Sequence, residues 1–303
     1  MKKVSYIILA ALVAILVCLA AASCGRLDMA GMFASADKGV ESRFADSMKY
    51  NESTETTEMK LSSDSYKMAV FTDFHTDATT VNLDRFVEEC NAEPGGCLAA
   101  LYLGDMVNSD SGAWDLFLGS AGKLSCGHLF VTAGNHDLYF GQWKDFLSRF
   151  HTSTYVFYVD CGDLRDYYIC LDSAGGTIGV SQREWLENVL IKARDWDRVY
   201  SSRRCRHITV FTHTHFFKRD NSQGHTSNYA FEETLDLMNL FSFYKVELVL
   251  TGHDHSAEDS SFRGVRYITV PALEDTSKNP GYVMCTVGKK GIEVEFRYLG
   301  AEK

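Results

Sequence analysis

Five apolar runs in this chain stop abruptly at side chains that suit a metal ion and suit a hydrophobic core poorly. Residues 68–72 lead into Asp73-Phe74-His75, and residues 99–103 into Gly104-Asp105. Residues 130–133 lead into Gly134-Asn135-His136-Asp137, residues 207–212 into His213-Thr214-His215, and residues 249–251 into Gly252-His253-Asp254-His255. A short apolar run closed by glycine reads as a buried strand that ends sharply. Ligands at strand ends are held on a rigid scaffold, which is how a preorganised metal site is built. The donor types are carboxylate, amide oxygen and imidazole, a set suited to hard and borderline divalent ions.

Between these runs the pattern alternates. Helical periodicity follows at 81–91, near Trp114 and at 142–150, and a hairpin is predicted around Gly162 from the runs 155–160 and 166–172. Ser181-Gln182-Arg183-Glu184 reads as a capping box that starts a helix burying Trp185, Leu186, Val189, Leu190 and Ala193. A further helix is predicted at 231–244, and strands at 266–270, 282–287 and 292–298 close the chain. Alternating units followed by strands predict an α/β fold with a mixed sheet layered by helices. With 303 residues, 46% of them hydrophobic, one large domain is expected rather than two.

The domain is expected to occupy residues 66–303. Residues 1–24 read as a targeting segment: Lys2 and Lys3, an apolar stretch, then Ala21-Ala22-Ser23-Cys24. This resembles a bacterial lipoprotein signal with Cys24 as the lipidated residue; an uncleaved anchor or a freely secreted form are the alternatives. All three put the domain outside the cytoplasm, with the membrane as partner in the first two. Residues 25–65, polar and small, read as a flexible tether. The formal net charge of −10 opposes binding to a nucleic-acid polymer. It does not oppose a small phosphoester, because a bound metal pair supplies local positive charge. Beyond Cys18 and Cys24 seven cysteines remain, an odd number, and Cys90 and Cys97 are spaced to bridge a loop.

The five blocks, in this order, resemble the calcineurin-like metallophosphoesterase superfamily over about residues 66 to 300. The resemblance implies a four-layer sandwich, two mixed β-sheets face to face flanked by helices. It also implies hydrolysis of phosphomonoesters or phosphodiesters by two divalent metal ions (manganese, iron or zinc), with a bridging hydroxide in line for attack. By the same resemblance Asp73, His75 and His255 hold one ion, Asn135, His213 and His253 the other, and Asp105 bridges. His136 is implied to contact the phosphate and protonate the leaving oxygen, with Asn135 also near the substrate. Asp137 is expected behind His136, raising its pKa. His215 is expected near the substrate or shielding the metal, and Asn108 is expected to brace the loop after Asp105. No tyrosine stands two or three residues after Asp105, where purple acid phosphatases carry their iron-bound tyrosine. A membrane-tethered metal- or phosphate-binding protein of the same fold, without turnover, is the alternative function. Asp254, between two ligands, is expected to face solvent.

Overall fold

The computed structural model describes residues 39–108, 112–195, 203–217 and 231–300. Among the described residues the order begins with helix α1 (Val40–Asn51) and strand β1 (Glu58–Leu61), then runs β2 (Tyr66–Phe71), α2 (Val81–Asn91), β3 (Ala99–Tyr102), α3 (Ala113–Ala121) and β4 (Leu129–Val131). A 3-10 segment (His136–Gly141) and α4 (Trp143–Phe150) lead to the hairpin β5 (Tyr155–Cys161) and β6 (Leu164–Cys170). After it come α5 (Gly179–Ala193), β7 (Arg204–Phe211), α6 (Phe231–Phe243), β8 (Leu248–Thr251), β9 (Glu258–Phe262), β10 (Val265–Thr269), β11 (Gly281–Gly288) and β12 (Gly291–Tyr298).

The strands form two mixed sheets, one ordered β1-β5-β6-β7-β8-β10-β9 and the other β12-β11-β2-β3-β4. Strand alternation explains why the sheets bury both faces. Met68 and Val70 of β2 join Leu248 and Leu250 of β8 and Val283 and Cys285 of β11 in the core between the sheets. Their neighbours Ala69, Phe71, Tyr282 and Met284 point the other way, into a core under α2, α3 and α4. On the far side, Ile208, Val210 and Val249 meet Leu186 and Leu190 of α5 and Leu237 and Phe241 of α6. The result is a four-layer sandwich of helices, sheet, sheet and helices. Phe130 and Phe157 stack across the sheets with ring centroids 3.6 Å apart.

The N-terminal side of the fold differs from the sequence expectation. Residues 40–65 are not a tether: α1 and β1 are built into the domain, and β1 extends the larger sheet by pairing in parallel with β5. The cause is a buried ion pair. Arg43, 2% exposed, donates from Nε and a terminal nitrogen to both oxygens of Asp172 at 2.8 and 2.9 Å, and Ser153 Oγ donates to Asp172 Oδ2. Glu41 replaces the predicted capping box. Its Oε1 accepts the amides of Val180 and Ser181 at 2.6 and 3.3 Å, so α5 begins at Gly179 with a cap from α1 rather than from Ser181. A carboxylate there also meets the positive end of the helix dipole.

Residues 1–38, Cys24 among them, lie outside the described residues. Among the described residues no helix is long and apolar enough to cross a membrane. The seven cysteines from Cys90 to Cys285 are free thiols, so Cys90 and Cys97 do not bridge.

His207 links the sheets. Its Nδ1 lies 2.6 Å from Glu247 Oε2, before β8, and its Nε2 lies 2.9 Å from the carbonyl of Gly288, at the end of β11. Burial opposes its charge, but the two acceptors outweigh burial and raise its pKa.

Two outcomes follow from these contacts. Arg43→Ala leaves Asp172 buried without its counter-ion and is expected to cost about 3–5 kcal/mol in urea unfolding, whereas pairing it with Asp172→Leu should recover much of the loss. The raised folded pKa of His207 means its contribution is full below the unfolded value of about 6.5 and is lost as pH rises through the folded value. The stability gap between wild type and His207→Gln should therefore narrow from pH 6 to pH 9, and a constant gap would refute this.

Candidate metal centre

Strands β2, β3 and β4 run parallel in one sheet, and β7 and β8 run parallel in the other. Their C-terminal ends therefore open on one edge of the sandwich, and the loops that leave them carry the five blocks. These loops are tied to one another before any side chain is considered. Asp73 N donates to Gly104 O, His75 N to Asp105 O, and Gly252 N to His213 O, at 2.9 to 3.1 Å.

The chain turns sharply to do this. Asp73, His75, Asp105, His253 and His255 all have positive φ, between 49° and 70°. Side chains other than glycine avoid this region, and the cost is of order 1–2 kcal/mol each. Glycine is required where the loops touch. A Cβ on Gly134 would lie 2.1 Å from Asp105 Oδ1 and 2.3 Å from Asp105 N, and one on Gly104 would lie 2.6 Å from Gly134 N.

The side chains fall into overlapping sets. Ligand atoms of Asp73, His75 and His255 lie within 4.8 Å of one another, as do those of Asp105, His213 and His253, and those of His75, Asp105 and His136. Asp105 thus belongs to two sets flanking it. Its Oδ2 lies 3.3 Å from His213 Nε2 and 3.7 Å from His75 Nε2, while Oδ1 accepts the amide of His136. Asn135 Oδ1 lies 3.0 Å from His213 Nε2, which is 3.1 Å from His253 Nδ1. His75 Nε2 and His255 Nε2 are also 3.1 Å apart. His213 Nδ1 donates to the carbonyl of Leu103 at 2.8 Å, which turns Nε2 into the centre.

Charge favours a cation here. Asp73 and Asp105 are at most 1% exposed, and Asp73 Oδ1 is buried without a hydrogen-bond partner, facing His255 and His75. Burial opposes ionisation of Asp105, yet His213 and His136 outweigh it and hold its pKa well below the carboxylate range. Burial pushes His75 down to about 4 and His253 down to about 3, so both imidazoles are neutral donors at pH 7. Burial also disfavours the charged forms of His213 and His255, but Asp105 raises the first to about 9, and Asp73 with Glu274 raises the second to about 11. A metal pair would displace those protons. A buried carboxylate oxygen without a hydrogen bond, a second shared carboxylate, an amide oxygen and four imidazoles fit divalent ions well.

Two roles are exchanged relative to the sequence reading. Asp137 does not back His136. Its Oδ2 accepts the amides of Gly134 and Asp105, and its Oδ1 those of Met106 and Val107, at 2.8 to 3.2 Å. Burial and Asp105 push its pKa up to about 7, while these donors favour the charged form. The 3-10 turn after Asn135 aims Asp137 inward, at the loops after β3 and β4. Asn108 takes the expected place of Asp137, with Oδ1 2.9 Å from His136 Nδ1. His215 is 2% exposed and its ring stacks on that of His253, covering that ligand. Asp254 is buried, not solvent-facing, and accepts from Ser256 Oγ at 3.1 Å.

Two residues escaped the sequence reading. Glu274 Oε1 lies 3.3 Å from His255 Nδ1, and its amide donates to Asp73 O. It follows β10 as the ligands follow their strands, which was the available signal. Tyr139 OH accepts from Asn135 Nδ2 at 2.6 Å and so aims Oδ1 at His213; its ring centroid lies 4.6 Å from that of His136. Gly134→Ala is expected to displace the Asp105 loop, costing about 1–3 kcal/mol and lowering metal content measured by mass spectrometry; unchanged metal content would contradict the close approach.

The profile of the family described as calcineurin-like phosphoesterase matches residues 66–257. No significant match is found among curated proteins. Among solved structures, a dimetal phosphatase from Danio rerio is 14% identical at TM-score 0.58, with 76% of this chain and 98% of that one covered. GAP50, the anchor in the inner membrane complex of Plasmodium, is 14% identical at TM-score 0.59, covering 80% and 87%. A purple acid phosphatase from yellow lupin seeds is 14% identical at TM-score 0.57, covering 80% of this chain and 52% of that one. At these identities the structures share the fold. With the family profile spanning most of the domain, this chain belongs to the calcineurin-like phosphoesterases.

Proposed function

We propose that this chain is a metal-dependent phosphoesterase that hydrolyses small phosphomonoesters or phosphodiesters outside the cytoplasm, tethered to a membrane through residues 1–24, with Cys24 as the lipidated residue. The observation that carries the catalytic reading is Asp73 Oδ1, a buried carboxylate oxygen with no hydrogen-bond partner, set among imidazoles from both sheets. Asp73, His75 and His255 would hold one divalent ion, Asn135, His213 and His253 the other, and Asp105 both. Manganese, iron or zinc ions there would neutralise the phosphoryl oxygens and lower the pKa of the attacking water.

Without cations the site would repel its substrate, since Asp73 and Asp105 face the same space a phosphate would enter. His136 stands at the open side of this group, half-buried, next to His75 at a ring distance of 4.6 Å. With Asn108 Oδ1 accepting, Nδ1 carries a proton and Nε2 is left for the substrate. There a protonated imidazole can hydrogen-bond a phosphoryl oxygen and hand its Nε2 proton to the departing alkoxide. Asn108 holds the ring in that orientation. The buried ligands and the Asp137 brace keep the geometry fixed, so little reorganisation accompanies the reaction.

Chelated protein reloaded with manganese, zinc or iron should hydrolyse p-nitrophenyl phosphate or bis-p-nitrophenyl phosphate. Protein that binds two ions and turns over neither ester with any metal would leave only a binding role. His136→Ala should keep both ions and lose about 10²–10³-fold in kcat. Loss of an ion in that variant would make His136 a ligand instead.

A further inference from the structure

A run of ring contacts joins the candidate metal ligands His255 and His75, through His136 and Tyr139, to Phe140 at the surface. The His255 ring centroid is 5.1 Å from that of His75, His75 is 4.6 Å from His136, His136 is 4.6 Å from Tyr139, and Tyr139 is 6.4 Å from Phe140. Tyr139 is 2% exposed and Phe140 is 69% exposed. The backbone presents Phe140 at a cost: it interrupts the 3-10 segment with φ 55° and ψ 33°, and Gly141 after it is also at positive φ. A bulky residue in the left-handed region is uncommon, and such strained positions cluster at functional sites. Scattered exposed apolar side chains are ordinary, and Phe243, 77% exposed at the end of α6, is one of these: its φ is not positive and no ring contact joins it to the centre. Phe140 differs in both respects.

We propose that Phe140 walls the subsite for the leaving group and favours phosphoesters whose leaving alcohol carries an aromatic ring. The inference rests on the phosphoesterase reading above. His136 delivers its proton to the leaving oxygen, so the rest of the leaving group extends outward on the His136 side. The next rings outward on that side are Tyr139, which is buried, and Phe140, which is bare. An aromatic group there gains an edge-to-face or offset contact and removes the exposed face of Phe140 from water. A compact aliphatic alcohol gains neither.

The test compares 2-phenylethyl phosphate with propyl phosphate, or their methyl diesters, on the full-length manganese-loaded protein. The leaving alkoxides have similar basicity and differ in the ring. Wild type should prefer the phenylethyl ester, and Phe140→Ala should cut the ratio of kcat/KM values by roughly five-fold. Phe140→Gly, which relieves the positive φ, should lose the same ratio while raising the Tm, so a folding defect cannot mimic the result. An unchanged ratio in both variants, or no wild-type preference, overturns the proposal. Calorimetric binding of phenylphosphonate against propylphosphonate asks the same question without turnover. Preference for the phenyl compound that is lost in Phe140→Gly supports the subsite even if hydrolysis fails, and equal binding of the two phosphonates refutes it while leaving hydrolysis to stand alone.

Discussion

The carboxylate of Asp137 is the contact on which the centre depends. Four backbone amides, from Gly134, Asp105, Met106 and Val107, point at its two oxygens. Three of those amides belong to the loop that leaves β3, and they are satisfied by a residue of the loop that leaves β4, to which Asp137 and Gly134 both belong. One buried anion thus locks two strand ends together and sets Asp105 between the two imidazole groups. Glycine at 134 is the steric counterpart of the same lock, because any Cβ would occupy the space of Asp105.

Around this brace the structure accepts unfavourable terms that make sense only together. Five ligand residues sit at positive φ, and two carboxylates are buried beside four histidines of divided protonation. Each would be destabilising in isolation. The two sheets hold them because their shared core is closely packed and the strand ends cannot drift apart. The first helix adds to this rigidity: Arg43 reaches Asp172 just beyond β6, and Glu41 caps α5. Helix α1 and strand β1 are therefore packed into the same fold as the residues after 66.

Residue types and strand ends were legible from the chain because short apolar runs ending in glycine or a polar ligand are a local pattern. The strands before each ligand follow from it, and the helix at Val81–Asn91 and the hairpin at Gly162 from helical periodicity and turn signals that are equally local. What was not legible involves contacts between distant segments. The capping box at Ser181 has the right spacing, but Glu41 arrives from 140 positions away and takes the amide. The polar stretch before residue 66 has the composition of a tether, yet one arginine with a buried partner makes it part of the fold. Asp137 and Asn108 exchanged roles because the spacing of Asn-His-Asp does not say which way a 3-10 turn aims its third residue.

Sequence alone determined the inventory of the centre: which carboxylates, amide and imidazoles stand at strand ends, and that their chemistry suits divalent ions. Those properties are local, carried by side-chain type and by short apolar runs that end in glycine or a ligand. Tertiary structure decided who touches whom: Asn108 on His136, Asp137 on the amides, Glu274 on His255, Tyr139 on Asn135, and Phe140 at the rim. Such pairings depend on the angles at which separate loops leave two packed sheets, and those angles are set by contacts far apart in the chain.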